Sequence, residues 1–183
     1  MSYNLNNIDL IISKAQEVDI KSMNMLSNQK RISYEKFQPQ FWRSNGDAGE
    51  IAQRKWFKEL IEDNSYICLI AKQNDEIIGF VIGKIISAPE VYNPGGLTLL
   101  IDDFCILNSN WNLVGNTLLK EIKSISKQQG VTQLIAVSGS HDEDKKSFLN
   151  EFGFQLLFGL LDLLFEHYHK FYIKKLYSNF LNV

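Results

Sequence analysis

Apolar residues along the chain recur at two spacings, and the changes between them mark out the elements. Ile8 to Ser13 reads as a first strand, and residues 15–28 then carry Val18, Met23, Met25 and Leu26 as an imperfect helical stripe. Gln29 to Gly46 is polar except for Tyr34, Phe37, Phe41 and Trp42 around Pro39, and it reads as a connecting segment closed by the turn Ser44-Asn45-Gly46. Aromatics there either wall a pocket or anchor the loop to the core. Asp47 can cap a helix through Asp63 whose Ile51, Phe57, Leu60 and Ile61 lean to one side. Ser65 to Ala71 and Glu76 to Ile86 are strand-like runs about Asn74-Asp75, which predicts a hairpin.

The second half holds a strand from Leu97 to Leu107 and a helix from Trp111 to Gln129, with Trp111, Val114, Leu118, Ile122 and Ile125 on one face. Gly130 ends that helix, and Thr132 to Ser138 is again apolar, so the three make a parallel βαβ crossover. Gly139 to Asp144 is an exposed turn that opens a helix through Phe152. The order predicts an α/β (α+β) fold: a mixed, mostly antiparallel twisted sheet with Leu97 to Leu107 at its centre and helices on both faces. A chain of 183 residues, 45% of them hydrophobic, fits one domain over 1–183 with a core of its own.

A net charge of -2 gives no electrostatic reason to expect nucleic acid, whose binding rests on Lys and Arg neutralising phosphates. Cys68 and Cys105 sit in apolar runs and read as buried free thiols, and no His/Cys grouping has metal-ligand spacing, so no metal is expected. The run from Leu156 to Phe165 is too short for a membrane span and carries Asp162, while the first residues lack a basic flank and an apolar stretch. A cytoplasmic protein without membrane contact is the expectation, with a homodimer left open.

Chemistry concentrates between Leu97 and Gln129. Ile101-Asp102-Asp103-Phe104-Cys105-Ile106-Leu107 puts two adjacent acids into an apolar strand, costly unless they have partners or a task. After it, Leu113-Val114-Gly115-Asn116 sets a glycine in the first helical turn, where free amides favour anionic groups. This strand, with its x-Val-Gly-x-x-Leu-Leu continuation, resembles the central strand and helix of the GCN5-related N-acetyltransferases, the GNAT superfamily. Phe148-Leu149-Asn150-Glu151-Phe152-Gly153-Phe154 resembles that superfamily's (Leu/Phe)-Tyr-Glu-x-x-Gly-Phe signature, and Lys170 to Leu176 its closing strand. Leu113 stands where the phosphate turn usually has its first glycine, Asn110 where it has a basic or amide residue, and Leu149 where the signature has tyrosine.

The resemblance implies an N-acetyltransferase that moves an acetyl group from acetyl-CoA, as cosubstrate, to the amine of a small molecule or peptide. It implies main-chain contacts to the pantetheine arm from Phe104, Cys105, Ile106 and Leu107, and pyrophosphate on the amides of Asn112, Leu113, Val114, Gly115 and Asn116. Asp142 occupies the position of an asparagine that contacts the cofactor arm. Asp102 aligns with an acid that lies beside the amine in polyamine-acetylating relatives, which makes it the candidate base. Alternation along the strand sends Asp102 to the face of Phe104 and Ile106 and Asp103 to the opposite one, where a structural role is expected. Without a tyrosine at 149, the thiolate leaves unprotonated or takes its proton from water, with His141, Tyr168 and Tyr172 as further candidates. A degenerate member that binds acyl-CoA or a protein partner without efficient turnover is the alternative, and a non-enzymatic interaction module using the aromatic tail is a third.

Overall fold

Asn74 and Asp75 both take positive φ (50° and 65°), the left-handed pair that a tight hairpin demands and that asparagine and aspartate tolerate. They join β2 (Tyr66–Gln73) to β3 (Glu76–Ile86), and the rest of the sheet grows on the two sides of this hairpin. The structure, a computed structural model, describes residues 9–156. The expected closing strand near Lys170 to Leu176, Tyr168, Tyr172 and the run Leu156 to Phe165 lie wholly or mostly outside them.

Among the described residues the sheet has five strands in the order β1 (Leu10–Lys14), β2, β3, β4 (Leu97–Ile106) and β5 (Val131–Ala136). All neighbours are antiparallel except β4 and β5, which are parallel and joined by the expected crossover through α3 (Asn116–Gln128). Thus β4 is an interior strand, one place from the middle of the five.

The two faces are covered separately. Leu118, Leu119 and Ile122 of α3 pack with Phe148 and Leu149 of α4 (Glu143–Phe152) against Leu69, Val81, Leu99, Ile101 and Phe104. On the other face Ile20, Met23 and Leu26 of α1 (Ile20–Phe37) and Phe57 and Leu60 of α2 (Gly46–Glu62) pack against Cys68, Ile70, Phe80, Ile82 and Cys105. Each fully buried leucine, isoleucine or phenylalanine contributes about 1.5–3 kcal/mol of burial, which holds both helix layers onto the sheet.

The largest departure from the sequence reading is α1. The segment from Gln29 to Phe37 is not a connection but the second half of that helix. Its inward stripe runs on from Met23, Leu26 and Ser27 to Lys30 and Tyr34 at helical spacing, and these last two are polar because the sheet residues they meet are charged.

Candidate active site

Two irregularities in β4 shape the site. The register of β3 against β4 slips where Ile82 faces Asp103 and Gly83 faces Ile101, so Asp102 is an extra residue in a β-bulge. Its ladder with β5 stops at Ile101 and Ala136, after one last bond from the Val137 amide to the Ile101 carbonyl (2.9 Å). Beyond that point β4 is bonded, among the described residues, to β3 alone, and the two parallel strands part.

The bulge breaks the alternation that the sequence predicts. Phe104 shares the α3/α4 core with Leu99 and Ile101, three residues back, while Asp103 and Cys105 face α1. Asp102, which follows Ile101 on the pleat, therefore lies on the α1/α2 side with Asp103 rather than on the face of Phe104 and Ile106. A bulge sets two consecutive side chains on one side, and no run of residue types announces it.

The two acids have different surroundings. Asp103 accepts from Lys30 Nζ at 3.2 Å and from the Cys105 thiol at 3.3 Å, with Ser27 Oγ at 3.5 Å. Burial would raise its carboxyl, but Lys30 and the thiol together hold it below the usual carboxylate range. Against the opposing effect of burial, the Asp103 carboxylate holds the half-buried Lys30 beside it charged well above the ordinary lysine value. Asp102 is half-buried, and among the described residues no side-chain hydrogen bond or ion pair uses its carboxylate. Burial first, and then the neighbouring Asp103 charge, raise its pKa. An unengaged carboxylate made more basic suits proton abstraction.

Beside these acids a cleft of about 390 Å³ opens on the α1 side of β4. Lys30, Ser33 and Tyr34 of α1 line it together with Phe104, Cys105 and Ile106, the connection Asn108-Ser109, and His141 to Asp144. The Tyr34 hydroxyl donates to Asp142 Oδ2 (3.0 Å), and burial first, then the Asp142 charge and this bond, push the tyrosine's pKa up and make it a poor acid. His141 stacks on Phe37 (4.2 Å between centroids), and its buried Nε2 has no partner among the described residues. Asp142 is also the cap of α4, accepting from the Lys145 amide at 3.3 Å.

Of the residues expected to meet acyl-CoA, Phe104, Cys105, Ile106 and Asp142 come together in the cleft, while Asp102 and Leu107 are not part of its lining. Asn112 lines a second, adjoining hollow with Ser109, Trp111, Asp144, Ser147, Phe148 and Glu151. The chain enters α3 through one wide turn, Trp111–Gly115, in which the Asn110 carbonyl takes both the Val114 and Gly115 amides. Among the described residues the Asn112 and Leu113 amides ahead of them make no such bond. Gly115 itself is buried, and a Cβ there would stand 2.9 Å from the Trp111 ring and 3.4 Å from Phe148. Helix packing, rather than close approach to a phosphate, demands that glycine.

The residues thus fit the arm of acyl-CoA better than its phosphates. Among the described residues the β5-side main-chain groups of β4 beyond Ile101 are freed by the strand split, but the hollow at the helix start has no lysine or arginine in its lining and carries Asp144 and Glu151. Leu149 is buried in the core and supplies no proton. Sequence reasoning missed Lys30 and Lys145. Both occupy inward positions of amphipathic helices, Lys145 one turn ahead of Phe148 and Leu149, and a lysine on such a stripe is the signal that marks them.

Within the described residues no helix is long and apolar enough to cross a membrane, and no group of three His, Cys, Asp or Glu side chains could hold a metal ion. The family model described as an acetyltransferase (GNAT) domain matches residues 12–170. No curated protein matches the chain by sequence at a significant level. Among solved structures, a tetramutant of the BH1408 protein from Bacillus halodurans superposes with a TM-score of 0.73 at 18% identity, covering 85% of this chain and 99% of that one. A predicted acetyltransferase from Clostridium acetobutylicum, solved with acetyl-CoA, gives 0.66 at 19% identity over 87% and 99% of the two chains. An aminoglycoside N-acetyltransferase in complex with CoA gives 0.64 at 11% identity over 90% and 99%. These structural likenesses speak to the fold. The bulged β4, its parting from β5 and the helix that starts beyond the gap are what the domain match spans, and the chain belongs to the GNAT acetyltransferase family.

Proposed function

We propose that the protein is an N-acetyltransferase that takes the acetyl group of acetyl-CoA to the amine of a small molecule or peptide carrying positive charge. The observation that supports this most is the division of labour on β4. One acid of the bulge is locked in an ion pair, while the other is half-buried, unengaged and raised in pKa beside a strand edge open to a ligand. Structural neighbours solved with CoA, acetyl-CoA or an aminoglycoside are consistent with that reading.

Bound acetyl-CoA supplies the activated acetyl thioester. Main-chain groups of Phe104, Cys105, Ile106 and Leu107 would hold its arm, and the Asn112 and Leu113 amides its phosphates. Asp102 takes the proton of the acceptor ammonium, directly or through one water, which frees the lone pair for attack. Asp142 and Asp144 on the cleft wall attract a cation, Lys30 being already matched by Asp103 and Glu143 by Lys146.

Asp102→Asn keeps the shape of the side chain and removes its basicity. Its kcat should fall by about a hundredfold, within the usual range for a lost general base. Acetyl-CoA affinity should hold, and the rate should partly recover as pH rises and solution deprotonates the amine. Full activity of Asp102→Asn at neutral pH would remove Asp102 from the reaction. A second reading, an acyl-CoA binder without efficient turnover, is favoured by Leu149 and by the acids at the helix start. It predicts heat on titration with acetyl-CoA but no thiol release with any amine.

A further inference from the structure

The split between β4 and β5 is not empty. Just past the end of β5, the Val137 amide makes the last bond to the Ile101 carbonyl of β4, and in a parallel ladder its own carbonyl would bond back to β4. The next rung would be that bond, but the ladder ends at Ile101 and Ala136, where the bulge at Asp102 begins. Lys145 takes the rung instead. Its Nζ donates to the Val137 carbonyl at 2.7 Å and lies 5.9 Å from the centre of the Phe104 ring. The side chain is fully buried, reaching inward from the first turn of α4.

A lysine is a costly way to fill such a gap. Lys30 from α1, Asp103, Cys105 and Asp102 from β4, and Asp142 at the head of α4 all act on its amine, and Lys30 already claims Asp103. Burial, followed by the Lys30 charge, lowers the Lys145 pKa to about 7. Above neutral pH the group is therefore an uncharged amine, held among the described residues by one hydrogen bond. Phe104, Cys105 and Asp142, which surround it, also line the open cleft.

We propose that Lys145 is a displaceable plug: its amine holds the Val137 carbonyl until an extended ligand carrying amide groups, the pantetheine arm of acyl-CoA, enters the split and drives it out. This rests on the acyl-CoA reading above. Once displaced toward Asp142 and Asp144, the amine regains ordinary lysine basicity and takes up a proton. Ligand binding above pH 7 is thereby coupled to proton uptake, and acetyl-CoA affinity falls as pH rises.

The test is calorimetric titration of the full chain with acetyl-CoA at pH 8, in two buffers of different ionisation enthalpy. The wild type should take up about one proton per acetyl-CoA bound, as a group moving from a pKa near 7 to an ordinary lysine value requires. Lys145→Met should take up none. It should also bind roughly threefold to tenfold tighter, because the ligand no longer displaces a hydrogen bond and finds the Val137 carbonyl unpartnered. Affinity for 3',5'-ADP, which lacks the arm, should be the same in both proteins. Lys145→Ala serves where Met does not fold, with a melting curve to establish that the variant is native. Absence of proton uptake in the wild type, or weaker acetyl-CoA binding in a folded Lys145 variant, overturns the plug and leaves acyl-CoA binding standing. If no version binds acetyl-CoA, the acyl-CoA reading falls and the plug falls with it.

Discussion

The two ends of the cleft are built to different standards. At the α1 end Lys30 pairs with Asp103 and Tyr34 donates to Asp142, while the neighbouring Asp102 carboxylate has no side-chain partner among the described residues. At the α3 end Asn112 lines a hollow with Asp144 and Glu151, and no lysine or arginine among the described residues lines it. A fold can keep its acyl-transfer geometry while the electrostatics of its phosphate site drift, because backbone amides come with the helix whereas cations depend on side chains. The family's characteristic architecture therefore says more about how the arm and the amine are held than about how tightly the nucleotide is held.

The comparison breaks most visibly at Asp103. Removing it leaves the half-buried Lys30 without a counter-charge, and Asp103→Ala should cost about 1–3 kcal/mol of stability in urea unfolding at pH 7. A loss under 1 kcal/mol would mean that the pair is solvated and that the contrast between the two acids is false.

A smaller effect separates Lys145 from its surroundings. Its folded pKa is below the unfolded value, so between pH 7 and about 8.5 the unfolded chain binds more protons and stability should rise with pH. Above that range the buried Cys68 and Cys105 thiols, both raised in pKa, oppose the rise, because the unfolded chain loses their protons first. Unfolding free energies of wild type and Lys145→Met at pH 7 and 8.5 should show the slope in the first protein only.

The smallest effect sharpens the phosphate end. Asp144 is exposed on the rim of both hollows, and Asp144→Lys should tighten acetyl-CoA binding about threefold at low salt, with the gain fading at high salt. Unchanged affinity would mean that the phosphates bind elsewhere.

Much of the framework was legible because it rests on local pattern. The range Glu76–Ile86 of β3, the Asn74-Asp75 turn and the crossover through α3 all follow from apolar spacing and turn chemistry. The second half of α1 was not legible as helix, since its inward residues are Lys30 and Tyr34 and a polar stripe looks like a loop until the charged strand beneath it is known. The facing of Asp102 was lost for a related reason: strand alternation is exact in sequence, and a bulge depends on how β3 and β4 register in space. Gly115 stood out for its position, but what it serves is the Trp111 and Phe148 packing behind it.

The most direct test of the account is thiol release from acetyl-CoA by the wild-type chain, measured with a panel of amines of graded charge. The Asp142 and Asp144 carboxylates on the cleft wall and an Asp102 raised in pKa predict release with diamines and other cationic amines, at rates well above those with acidic amino acids. Release that is absent with every amine, or that favours the anionic acceptors, would contradict it.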